Sequence, residues 1–264
     1  RRKNIKFRRS AAVSLAALLA AFPECCVYDM VAPTLLRLAG LVGPPGSAEA
    51  DGNSGDHGKE DPIMQARAVS ALAAAWPRMP PPQSTHPSAR TYRLGVSPGQ
   101  ESSGEAGQEE TGDVVVAVGT VAAATREVVY GVQRRHAASL TRALTDAIPR
   151  KVWSVRVPIL HALAAIVSRS YVGGGLRMGA ILTSALLAAI VETVEVGAQD
   201  VKYSQVRAAA NSVVVAMTSR KELQLALMPH KEGLVAIARS GTEDPEPRVA
   251  MEGSKAAQNL AWWP

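Results

Sequence analysis

The chain has 264 residues, 47% of them hydrophobic and only 4% aromatic, with a formal charge of +6. That apolar content excludes global disorder, and the adjacent pair Cys25 and Cys26, the only cysteines, exclude a disulfide framework or a multi-cysteine zinc site. The excess charge is local: Arg1, Arg2, Lys3, Lys6, Arg8 and Arg9 supply all of it, and residues 10–264 sum to zero.

The 45 alanines and the scarcity of aromatic residues point to helices, because strands draw on aromatic and β-branched side chains. The chain opens on arginine, which leads to the expectation of a fragment of a longer protein. Lys6–Phe22 places Phe7, Ala11, Leu15, Leu18, Leu19 and Phe22 three and four apart, the period of an amphipathic helix. A basic start ahead of the apolar run Ser10–Phe22 also has the outline of a secretory signal. Pro23-Glu24-Cys25-Cys26 is a poor cleavage site, however, and no disulfide pattern follows, so the helix is preferred.

Val27–Leu41 continues as a helix containing or starting at Pro33. Residues 43–60 and 77–112 hold 18 of the 38 glycines and prolines and are expected to be linkers, the second one disordered. Between them, Asp61-Pro62 is a cap followed by proline at the first helical position, opening Pro62–Trp76. Asp113 is a candidate cap for a helix running through Ala124, followed by a second helix, Arg126–Ile148, that stops at Pro149. Then come Trp153–Ser170, a Gly173-Gly174-Gly175 turn, Leu176–Val196, Tyr203–Thr218, Glu222–Arg239 with Pro229 as a candidate break, and Pro247–Trp262. The apolar run Met178–Val191 is too short to span a bilayer, which takes about 20 residues.

Several helices open alike. Arg67, Arg156, Arg207 and Arg248 each follow a polar entry and precede small apolar residues, and Lys6-Phe7-Arg8-Arg9 is a looser copy. From Arg156 to Arg207 is 51 residues and from Arg207 to Arg248 is 41, close to the two-helix period of HEAT-type repeats. An arginine at a helix start opposes its own helix dipole, so it is better matched to an acid of the next repeat. Asp61 to Arg67 has the six-residue spacing of the HEAT Asp…Arg pair, and Asp200 to Arg207 is one residue longer. Trp153 and Tyr203 hold corresponding places, where core or inter-repeat packing is expected. The fold expected is all-α: an α-solenoid of HEAT/armadillo-like helix pairs with two long disordered linkers. Its organisation is a helix pair over 1–42, a linker over 43–60, a helix over 61–76, a linker over 77–112 and helical repeats over 113–264.

Five stretches, in order, resemble the C-terminal part of the HEAT-repeat proteasome adaptor and scaffold family. They are Tyr28–Leu36, the Ala71–Arg78 segment with its Ala-Trp-Pro-Arg element, Trp153-Ser154-Val155-Arg156, Lys202-Tyr203-Ser204-Gln205-Val206-Arg207, and Pro247–Leu260. The segments 77–112 and 113–130 are longer than the family pattern. The resemblance implies a non-catalytic adaptor of the cytoplasm and nucleus that binds 26S proteasome subunits and supports or monitors assembly of core and regulatory particles. The alternative is another HEAT-repeat adaptor, of the nuclear transport receptor or phosphatase scaffold type.

Bond-making chemistry has little to stand on. His57 and His86 lie in linkers, His136, His161 and His230 are scattered, and none has a partner at metal-binding spacing. Gly173–Gly179 lacks the preceding strand and the Lys-Ser/Thr of a phosphate loop, so a helix–helix turn is preferred over a nucleotide-binding enzyme. Glu192 and Glu195 share a helix face, which solvation accounts for. Cys25-Cys26 suits a turn, and Trp262-Trp263 suits a cap on the last repeat more than the rim of a partner site. The expectation is therefore no catalytic residue, cofactor, metal, small-molecule substrate, nucleic acid or membrane span, with no residue assigned to a partner.

Overall fold

The computed structural model describes residues 10, 11, 14, 27–41, 61–78, 118–171 and 180–264. All of the Lys6–Phe22 helix except residues 10, 11 and 14, which are helical, together with Cys25-Cys26, His57, His86, Asp113, the Gly173–Gly179 turn and nearly all of both linkers, lies outside the described residues. Among the described residues every regular element is helical. In chain order they are α1 (Val27–Leu38), α2 (Pro62–Ala75), α3 (Val118–Ala147), α4 (Trp153–Arg169), α5 (Ser184–Ala198), α6 (Ser204–Thr218), α7 (Gln224–Leu227), α8 (Lys231–Thr242) and α9 (Pro247–Leu260). Single 3₁₀ turns at Ile148–Arg150, Lys221–Leu223 and Met228–His230 join some of them.

The helices pack in two rows. α2 lies on α4, α4 on α6, and α6 on α9 to form an inner row. α3 lies on α5 and α5 on α8 in an outer row, and α1 joins α3 through Asp29 and Arg135, 2.6 Å apart. Chain neighbours pack across the rows as the pairs α1–α2, α3–α4, α5–α6 and α8–α9. The arrangement is consistent with an α-solenoid. Its core is one continuous apolar layer between the rows, with Leu35, Leu72, Leu144, Leu160, Leu187 and Met217 fully buried. Alanine and glycine let the rows close up. A Cβ on Gly197 would stand 3.2 Å from that of Ala210, and one on Gly253 would stand 2.4 Å from the main-chain carbon of Gly241. The α8–α9 crossing therefore has no room for a side chain at Gly253.

Local signals account for most boundaries. Asp61 accepts a hydrogen bond from Ile63 N–H at 3.1 Å, with Pro62 in the first turn. Gly40 adopts φ 61° just past α1, where Leu41 N–H reaches back to Leu36 C=O, and a β-carbon would be strained there. Pro229 sits in the 3₁₀ turn that separates α7 from α8.

Several helix ends fall one to three residues from the sequence expectation, and three differences have a local cause. The two helices ending at Ala124 and starting at Arg126 are one helix, α3, because Thr125 between them is neither glycine nor proline and interrupts nothing. The helix expected from Leu176 starts at Ser184: Ile181 N–H bonds to Tyr171 C=O rather than within a helix, and the Thr183 hydroxyl caps Leu186 N–H at 3.3 Å. Tyr203 is the cap of α6 rather than its first helical residue.

Candidate functional site

The inner row has an entry edge, where its helices begin, and an exit edge, where they end. At the entry edge two arginines stand at the same distance from their helix caps and make the same kinds of contact. Arg156 stands four residues past the cap of α4. It donates from Nε to the Lys151 carbonyl of its own entry loop at 2.7 Å and from Nη1 to Asp200 of the next loop at 3.3 Å. Arg207 stands four residues past the cap of α6. It donates to the Asp200 carbonyl at 2.9 Å and clamps both oxygens of Asp244 at 2.6 and 3.0 Å. The two aspartates also organise their own loops. Asp200 accepts from Lys202 and Tyr203 N–H, and Asp244 from Glu246 N–H. The Arg207 hydrogen bonds, working against burial, hold the Asp244 carboxyl below the usual carboxylate range.

Arg67 and Arg248 do not share this register. Arg67 is six residues past the cap of α2 and Arg248 two past the cap of α9, and both are exposed. The residues four past those caps are Gln65, which is buried, and Ala250. Among the described residues neither Arg67 nor Arg248 forms an ion pair. The loop before α4, Arg150-Lys151-Val152, offers no acid.

Trp153 and Tyr203 meet across the same edge. Trp153 is the first residue of α4 and Tyr203 the cap of α6, one step apart in register, and their rings stack with centroids 5.2 Å apart and planes 20° apart. Lys202 Nζ lies 5.2 Å from the centre of the Tyr203 ring. Trp153 stays 39% exposed.

The exit edge carries residues that sequence reasoning missed. Arg169, at the end of α4, donates to the Ala73 carbonyl of α2 at 2.9 Å. Arg220, just past α6, donates to the Val167 and Ser170 carbonyls of α4 at 2.8 and 2.6 Å. Each guanidinium satisfies carbonyls that a helix end leaves orphaned and complements the negative end of the dipole. Burial lowers the pKa of both from the ordinary arginine value. Gln133 of α3 is fully buried. It donates to the Pro77 and Arg169 carbonyls at 2.8 and 3.0 Å and accepts from Tyr171 N–H at 2.9 Å, tying three segments together. Trp76, 1% exposed, donates to the Ser170 hydroxyl at 3.2 Å and meets Tyr28 edge-on at 5.5 Å. His136 packs on Tyr28 and bonds to Asp29, beside Arg135. An arginine in the last helical turn is the sequence signal that points to such carbonyl contacts.

The remaining candidates are dispersed. Glu192 and His161 are exposed, His230 and Glu195 are half-buried, and among the described residues no group of histidine, cysteine, aspartate and glutamate is arranged to hold a metal. No described helix is long and apolar enough to cross a membrane. Trp263 packs against the core, whereas Trp262 is exposed, and Lys231 Nζ bonds to the Pro264 carbonyl. Between α8 and α9 lies a groove of about 460 Å³ lined by Val235, Ala238, Thr242, Ala257 and Leu260 among others. No protein-family model matches this chain, and no curated protein matches it.

Proposed function

We propose that this chain is a non-catalytic scaffold: an α-solenoid of HEAT/armadillo-like helix pairs that binds the 26S proteasome and supports or monitors the joining of its core and regulatory particles. The observation that carries the scaffold reading is the repeated clamp. Arg156 and Arg207, each four residues past a helix cap, both hold a carbonyl of their own loop and an aspartate of the next, so the same kind of inter-repeat contact occurs twice. A stack whose units contact only their neighbours suits an extended binding surface rather than an enclosed catalytic pocket. The proteasome as partner rests on the ordered resemblance of Tyr28–Leu36, Ala71–Arg78, Trp153–Arg156, Lys202–Arg207 and Pro247–Leu260 to the proteasome adaptor and scaffold family. Affinity purification of the protein in ATP-containing buffer tests it. Proteasome subunits of both particles should co-purify well above a tag-only control; their absence would remove the proteasome reading and leave the scaffold reading standing.

A further inference from the structure

We draw no further inference here: the strongest candidate, the groove between α8 and α9 lined by Val235, Ala238, Thr242, Ala257 and Leu260, is an unpartnered apolar face, and nothing in the structure shows what covers it.

Discussion

The two edges of the inner row use the same residue type, arginine, in opposite ways. At the exit edge, Arg169 and Arg220 reach main-chain carbonyls of the preceding inner helix, and Gln133 and Trp76 are sealed beneath them. At the entry edge, Arg156 and Arg207 reach carboxylates of the following loop, and Trp153 is left in the surface. A helix end always presents unpaired carbonyls, whatever its side chains. Exit contacts can therefore form wherever an arginine is in reach. An arginine–aspartate entry contact needs an aspartate in the following loop, and the loop before α4, Arg150-Lys151-Val152, carries none. The exit edge is thus fixed by backbone acceptors, while the entry edge depends on side-chain identity and leaves Trp153 partly exposed.

The largest effect should come from the sealed edge. Trp76→Ala removes a buried indole, its bond to Ser170 and its contact with Tyr28, and should cost about 4 kcal/mol in urea unfolding. A loss below about 1 kcal/mol would mean that the exit edge is no more sealed than the entry edge. At the entry edge, Arg207→Ala should cost about 3 kcal/mol, because it leaves the nearly buried Asp244 without its counter-charge. Arg156→Ala should cost about 1 kcal/mol, since its one contact to a carboxylate is long, at 3.3 Å, its side chain is more exposed than that of Arg207, and Asp200 keeps its two main-chain donors. Equal losses would erase the distinction between a two-point clamp and a one-point contact.

Acid should sharpen the same comparison. Burial raises the Asp29 carboxyl, but hydrogen bonds from His136 and Arg135 outweigh it and bring the pKa below its ordinary value; Asp244 is lowered chiefly by Arg207. A carboxyl depressed in the folded state adds stability that is present above its unfolded pKa, about 3.9, and is lost as pH falls through the folded value. Stability should therefore be level above about pH 5 and decline below about pH 4, and Asp244→Asn should flatten part of that decline. The smallest effect on folding is expected for Trp153→Ala, below about 1 kcal/mol, since the ring is stacked but open to solvent. A thermal melt checks it. A larger loss would mean that Trp153 holds the repeats together rather than presenting a surface.

Much of the helical plan was legible in the sequence, and the reasons are local. Asp61-Pro62 states a helix start by itself, and Pro229 marks the break before α8. The arginines at helix starts were visible too, but their register was not. A pattern of arginine followed by small residues does not encode distance from the cap, and that distance separates Arg156 and Arg207 from Arg67 and Arg248. Arg169, Arg220 and Gln133 went unseen because their acceptors are carbonyls, which every residue possesses. Which carbonyl is met is decided only when the helices stack. The exposed Trp153–Tyr203 pair was hidden for a related reason: the sequence shows two aromatic residues at corresponding helix starts, and only the stacking of α4 on α6 shows how much of Trp153 is left uncovered.

The central structural claim is that successive inner helices are clamped side chain to side chain across the entry edge. A double-mutant cycle of Arg207→Met and Asp244→Asn, read by urea unfolding of the wild type, both single variants and the double variant, tests it most directly. A coupling of about 2 kcal/mol or more is predicted, with the double variant costing far less than the two single losses combined. Single losses that add to within about 0.5 kcal/mol would contradict the clamp.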